Sequence, residues 1–242
     1  MKSTTFMPSL RKAALVLAGV AATAMTTGVA AAPTPLADQP ISIADVPANV
    51  MLALSVEFPT ASTPAYLNTS AYSSATSYIG YFDPGKCYRY VYNSTTPADS
   101  HFAPYSLTTT RTCVSTSLVP LWSGNWLNWA STQTLDAFRW AMTGGARDQD
   151  EPADFSATTP VGVTILKKAW SNDQGSKSNF PDKSLASGNI TSYTGLSTSG
   201  AKNLVATVYN KGINVEFSYS SNDSASTTVA SYKVRVLVCS GT

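Results

Sequence analysis

From Trp126 to Thr143 apolar side chains recur at helical spacing, framed by residues that start and stop a helix. Leu127, Ser131, Leu135, Phe138 and Met142 lie three and four apart, which predicts one helix with that face buried. Trp126, Trp129 and Trp140 widen the face. Asn125 can accept from the unpaired N–H groups of the first turn, and Gly144-Gly145 supplies the left-handed backbone that ends a helix. Asp136 and Arg139, three apart, read as a local ion pair.

The end of the chain alternates instead with period two. Leu204–Tyr209, Ile213–Tyr219 and Tyr232–Cys239 predict an antiparallel meander, with Asn210-Lys211-Gly212 as the first turn and Ser220–Thr228 as a polar second connection. Val234, Val236 and Val238 would face inward, and Lys233 and Arg235 would face water. Val50–Phe58 is almost continuously apolar up to Pro59, the pattern of a strand covered on both faces. Residues 60 to 120 mix tyrosines with turn formers and predict short strands and loops. Val161–Trp170 favours helix marginally over strand, and Ser171–Gly200 reads as surface loops. Together these elements make a mixed α/β (α+β) domain.

The first residues read as an export signal, residues 1–32: Lys2, Arg11 and Lys12 precede the apolar run Ala13–Met25, which leads to small residues before Pro33. Residues 33–48 form a Pro-rich leader, and the domain occupies 49–242. After signal cleavage no run is long enough to span a bilayer. Charged residues make up 12% of the chain and the net charge is +2, with no Lys/Arg stripe, so nucleic-acid binding is disfavoured.

His101 is the only histidine, there is no phosphate loop, and no cysteine pair has metal spacing; catalytic, cofactor and metal residues are therefore expected to be none. In an exported chain, Cys87 and Cys113 are expected to form a disulfide that closes a loop of about 25 residues and stabilises by roughly 3 kcal/mol. Cys239 is then an unpaired thiol. Tyr66, Tyr72 and Tyr78 could form an exposed interaction face, or could pack as half-buried strands.

Two segments resemble the PilY-type family of type IV pilus biogenesis and tip-adhesin proteins. Trp122-Ser123-Gly124-Asn125-Trp126-Leu127-Asn128-Trp129-Ala130, followed by Leu135-Asp136 with Arg139 and by Gly144-Gly145, is similar to the family's W-S-G-N-F-L-N-W-A, I-D-x-x-R and G-G series. Trp126 replaces Phe, and Leu135 replaces Ile. Trp122, Gly124, Asn125, Asn128, Trp129, Asp136, Arg139, Gly144 and Gly145 are its motif core. Gly80–Tyr88 resembles the family's Y-F-D-P-N-K-C-Y, with Gly85 for Asn; both residues tolerate positive φ. Asn179-Phe180-Pro181-Asp182 echoes a third motif.

The resemblance implies a non-enzymatic exported protein of pilus assembly and adhesion, located in the periplasm, on the outer surface or at the pilus tip. Its implied partners are minor pilins and a host or surface glycan or protein. It also implies a degenerate von Willebrand A-like sheet with one main helix and the C-terminal meander. The divalent-cation motif of such domains is replaced here by Ser55-Val56-Glu57-Phe58-Pro59, and the family's calcium site belongs to a C-terminal propeller that this chain lacks. The domain is thus expected to be incomplete relative to the family, whose continuing sequence would hold a partner for Cys239; a buried free thiol is the other reading. A secreted carbohydrate-binding module and a truncated, non-functional fragment are the alternative functions.

Overall fold

The computed structural model describes residues 51, 53, 63–67, 71–152, 162–168, 180–208, 213–222 and 227–240, with the side chains of 239 and 240 excepted. Apart from Met51, these residues belong to the unit Ala53–Thr242. The expected strand Val50–Phe58 and the replaced metal motif lie outside the described residues, save Met51 and Ala53, which are exposed and outside regular structure.

Asp83-Pro84-Gly85 turns the chain into β1 (Lys86–Val91), which pairs antiparallel with β2 (His101–Leu107). β3 (Trp122–Ser123) adds to the outer side of β1, and two helices follow, α1 (Gly124–Ser131) and α2 (Thr134–Thr143). β4 (Ala146–Glu151) and β5 (Val163–Lys167) form the next antiparallel pair. Then come β6 (Lys183–Leu185), a short α3 (Ile190–Tyr193), β7 (Asn203–Thr207), β8 (Asn214–Ser220), β9 (Thr228–Lys233) and β10 (Arg235–Ser240). They assemble into a six-stranded sheet of order β3-β1-β2-β10-β5-β4 and a four-stranded sheet of order β6-β7-β8-β9. The mixed α/β class is thus observed. Only β10 and β2 run parallel, so the described strands do not form the parallel, helix-crossed sheet of a von Willebrand A-like domain.

Three sequence expectations are corrected here. The single helix is two helices, because Thr132 and Gln133 are extended and the segment at Thr63–Ala65 bonds across them: Ala65 N–H donates to Thr132 O and Thr134 N–H to Thr63 O, each at 2.9 Å. All eight residues of α1 are buried, whereas on α2 Phe138, Trp140 and Met142 are exposed, at 45%, 47% and 39%. Val163–Lys167 is a strand, consistent with its β-branched residues.

The predicted third strand, Tyr232–Cys239, divides: Tyr232 and Lys233 end β9, which completes the β7-β8-β9 meander, and the residues from Arg235 onward form β10, which crosses to the other sheet. Val234 is the joint between them: its N–H donates to Ile213 O at 3.0 Å, and its carbonyl accepts from Lys168 N–H at 2.8 Å. Val234 and Val236 are buried, but a register shift between Leu237 and Cys239 turns Val238 outward. Arg235 is buried rather than solvated; its Nε donates to Asp148 Oδ2 at 2.5 Å.

The core lies between the two sheets. Trp126 of α1 stacks on Phe217 of β8 at 5.6 Å, Trp122 meets Phe217 at 5.1 Å, and Phe102 of β2 meets Trp122 edge-on at 6.0 Å. α1 is buried all round, its tryptophans and Leu127 in this core and its asparagines hydrogen-bonded within the fold.

Candidate functional site

The motif around α1 builds a junction rather than a reactive centre. Ser123, not Asn125, caps the helix: its Oγ accepts from Trp126 N–H and donates to Arg111 O at 2.7 Å. Asn125 instead holds the preceding loop. Its Oδ1 accepts from Tyr78 N–H at 2.8 Å, and its Nδ2 donates to Tyr72 Oη at 2.9 Å and Thr76 O at 3.0 Å. One turn on, Asn128 Nδ2 donates to Tyr78 O and Phe82 O, and its Oδ1 accepts from Phe82 N–H. Gly124 completes the junction, since a Cβ there would stand 2.3 Å from Asp83 O and 2.7 Å from Tyr88 Cε2. Trp122 and Trp129 are buried beside it.

Asp136 opens α2 by accepting Gln133 N–H at 2.9 Å. Its partner is not Arg139: among the described residues no ion pair joins those two, and Asp136 is paired with the buried Lys168 and accepts Tyr81 O–H at 3.1 Å. Burial pushes the Lys168 ammonium below its ordinary pKa, against the opposing attraction of Asp136. Gly144, at φ 73°, ends α2 with its N–H on Trp140 O, and Gly145 N–H reaches Arg139 O.

Tyr66, Tyr72 and Tyr78 do not form an exposed face. Tyr78 is buried, and the other two are half-buried against the core. Tyr72 sits 4.8 Å from Tyr193 and 5.7 Å from Trp129, Tyr66 meets Tyr78 edge-on at 4.9 Å, and Tyr66 Oη donates to Ile79 O. Beneath them lies Lys183, which sequence reasoning left in a surface loop. Its Nζ donates to Trp129 O at 2.5 Å and Tyr66 O at 2.7 Å, and stands 4.6 Å from the Trp129 ring centroid. Burial alone pushes its pKa down to about 7. No local pattern distinguishes Lys168 or Lys183 from a solvated lysine.

Cys87 and Cys113 are joined by a disulfide, packed with Leu121 and Val119 beside the main core. Cys113 N–H also bonds Ser192 O at 2.7 Å, so the bridge ties β1 to a strandless loop that runs past α3. Replacing both cysteines by serine is expected to cost about 3 kcal/mol in urea unfolding, equal to the effect of reductant on the wild type; an unchanged midpoint would contradict this. Cys239 pairs through its backbone in β10 opposite Thr164, and its side chain lies outside the described residues.

Two surface features remain. Tyr90, Tyr92, Pro120, Trp122, Gly195, Ser231 and Tyr232 line a cleft of about 390 Å³. The second is α2, on which Phe138, Trp140 and Met142 are all exposed; Phe138 and Met142 lie one turn apart, and Trp140, two positions from each, lies on another side of the helix. His101 starts β2, and its Nδ1 lies 3.1 Å from Asp99 O. Among the described residues no group of His, Cys, Asp and Glu could hold a metal, and no helix is long and apolar enough to cross a membrane.

A type IV pilus biogenesis factor PilY1 homolog of Xylella fastidiosa is 40% identical over 144 residues, a span covering 58% of this chain and 11% of that protein. No solved structure matches. The family model described as PilY1 homolog, small alpha/beta domain, matches residues 69–232, which include the 72–82 loop, both long helices, β1 to β8 and all but the last residue of β9, and the chain therefore belongs to the PilY1-homolog small α/β domain family.

Proposed function

We propose that this chain is an exported, non-catalytic part of the type IV pilus biogenesis machinery, acting with minor pilins at the pilus tip to favour assembly and attachment. The family match over residues 69–232 carries this reading. The disulfide suits an oxidising compartment such as the periplasm or cell surface. The internal hydrogen bonding of the motif residues suits a rigid carrier of a binding surface better than a reaction site. The helix α2 is the element that this reading assigns to a pilus component, since three of its large apolar side chains, Phe138, Trp140 and Met142, are exposed.

Deleting the gene and quantifying sheared surface pilin and attachment tests the proposal. Both are expected to fall at least tenfold, to recover with the wild-type gene, and to stay low with a Phe138→Ser/Trp140→Ser version that is exported at normal level. Unchanged piliation after deletion would sink the pilus reading. The second reading, a carbohydrate-binding module, now rests on the tyrosine-lined cleft rather than on Tyr66, Tyr72 and Tyr78. Glycan-array binding lost on Tyr92→Ala would favour it.

A further inference from the structure

We infer that Lys168 and Asp136 join covalently, the Lys168 side-chain nitrogen forming an amide with the Asp136 side-chain carbonyl carbon and releasing water, so that α2 is cross-linked to the end of β5. The two groups are in direct contact, and their side chains are 0% and 2% exposed. Both are held from behind. Lys168 N–H is bonded to Val234 O, and Asp136 is fixed in the first turn of α2 by the Gln133 N–H. Such permanent placement makes an otherwise slow condensation effectively unimolecular.

The two carboxyl oxygens have different surroundings. Oδ1 accepts the Tyr81 hydroxyl at 3.1 Å, so the charge that develops on it during attack is met by a donor already in place. Oδ2 faces the Lys168 nitrogen and becomes the leaving oxygen. The ion pair holds every atom that the reaction needs. One ammonium proton passes to Oδ2, the freed amine lone pair attacks the carbon, a second proton follows to Oδ2, and the C–Oδ2 bond breaks to release water. One N–H remains on the amide, and nothing is oxidised or reduced.

The enclosure favours this direction. A buried ion pair pays a desolvation penalty that a neutral amide does not, and burial together with the nearby Arg139 charge favours the neutral amine of Lys168. Lys183, the other buried lysine, meets backbone carbonyls and rings among the described residues, not a side-chain carboxyl that could condense with it.

Mass spectrometry of the exported, purified chain decides the matter. With the disulfide reduced and the mature N-terminus read from the same digest, the wild type is expected to be lighter than its sequence by one water. Trypsin is expected to leave Lys168 uncut and to yield a branched peptide joining the 136 and 168 segments. Lys168→Arg is expected to restore the sequence mass and the linear peptides. A wild type at its full sequence mass, with a free peptide ending at Lys168, overturns the inference whether or not the variants fold. Asp136→Asn that reacts would release ammonia instead and converge on the wild-type mass.

Discussion

Asn128→Ala is expected to lower the unfolding free energy by about 4 kcal/mol, enough to remove much of the stability of an ordinary domain. The Asn128 amide lies at 0% exposure and does for the chain at Tyr78–Phe82 what a neighbouring strand would otherwise do. It donates to Tyr78 O at 2.8 Å and Phe82 O at 2.7 Å, and accepts from Phe82 N–H at 3.0 Å. Truncation leaves three buried backbone groups unmet at about 1–3 kcal/mol each, partly relieved by relaxation, and opens a void against Gly80. Asn128→Asp is expected to be no milder, because it turns a donor pair into a charge aimed at two carbonyls. Urea unfolding of the oxidised chain measures both. A loss below about 1 kcal/mol for Asn128→Ala would mean that the loop is held by something else.

The second large effect is a pH dependence set by Lys183. Its folded pKa of about 7 lies below the ordinary 10.5, so between these values the unfolded chain binds a proton that the folded chain does not. The linkage sign follows: stability rises with pH across that window, at up to about 1.4 kcal/mol per pH unit and about 3 kcal/mol in all from pH 7 to 10. Above pH 10 the trend reverses, because burial holds Tyr72, Tyr88 and Tyr232 above their ordinary pKa and the unfolded chain loses those protons first. Lys183→Met is expected to remove the rise between pH 7 and 10. The difference between the two stability curves isolates this one group. A wild-type profile flat from pH 7 to 10 would show that the ammonium reaches solvent or a counter-charge.

Local patterns carried much of this architecture. The alternation read over Leu204–Tyr209 and Ile213–Tyr219 is observed as β7 (Asn203–Thr207) and β8 (Asn214–Ser220), and Gly144-Gly145 ends a helix as its backbone freedom predicts. The motif beginning at Trp122 pointed to the family and to a buried aromatic helix. It did not reveal what its asparagines do. At a helix start Asn125 can cap as well as any residue, and only the position of the 72–82 loop gives its amide a different partner.

The misread segments share one physical origin. Helical spacing continues through Thr132-Gln133, but two backbone bonds from Thr63 and Ala65 are formed only if the helix breaks there. Tyr232–Cys239 reads as one strand, yet Val234 bonds to both sheets, so the residues before it end β9 and those after it form β10. Lysine and arginine are read as solvated because burying a charge alone is costly. Lys168, Lys183 and Arg235 offset part of that cost through Asp136, the Trp129 and Tyr66 carbonyls, and Asp148, partners 32 to 117 residues away in the chain. Periodicity, caps and turn residues act within a few positions, so element types and the family motif can be read along the chain. Which charges are buried, which aromatic face is covered and where a strand changes sheet depend on groups that meet only when distant segments pack together.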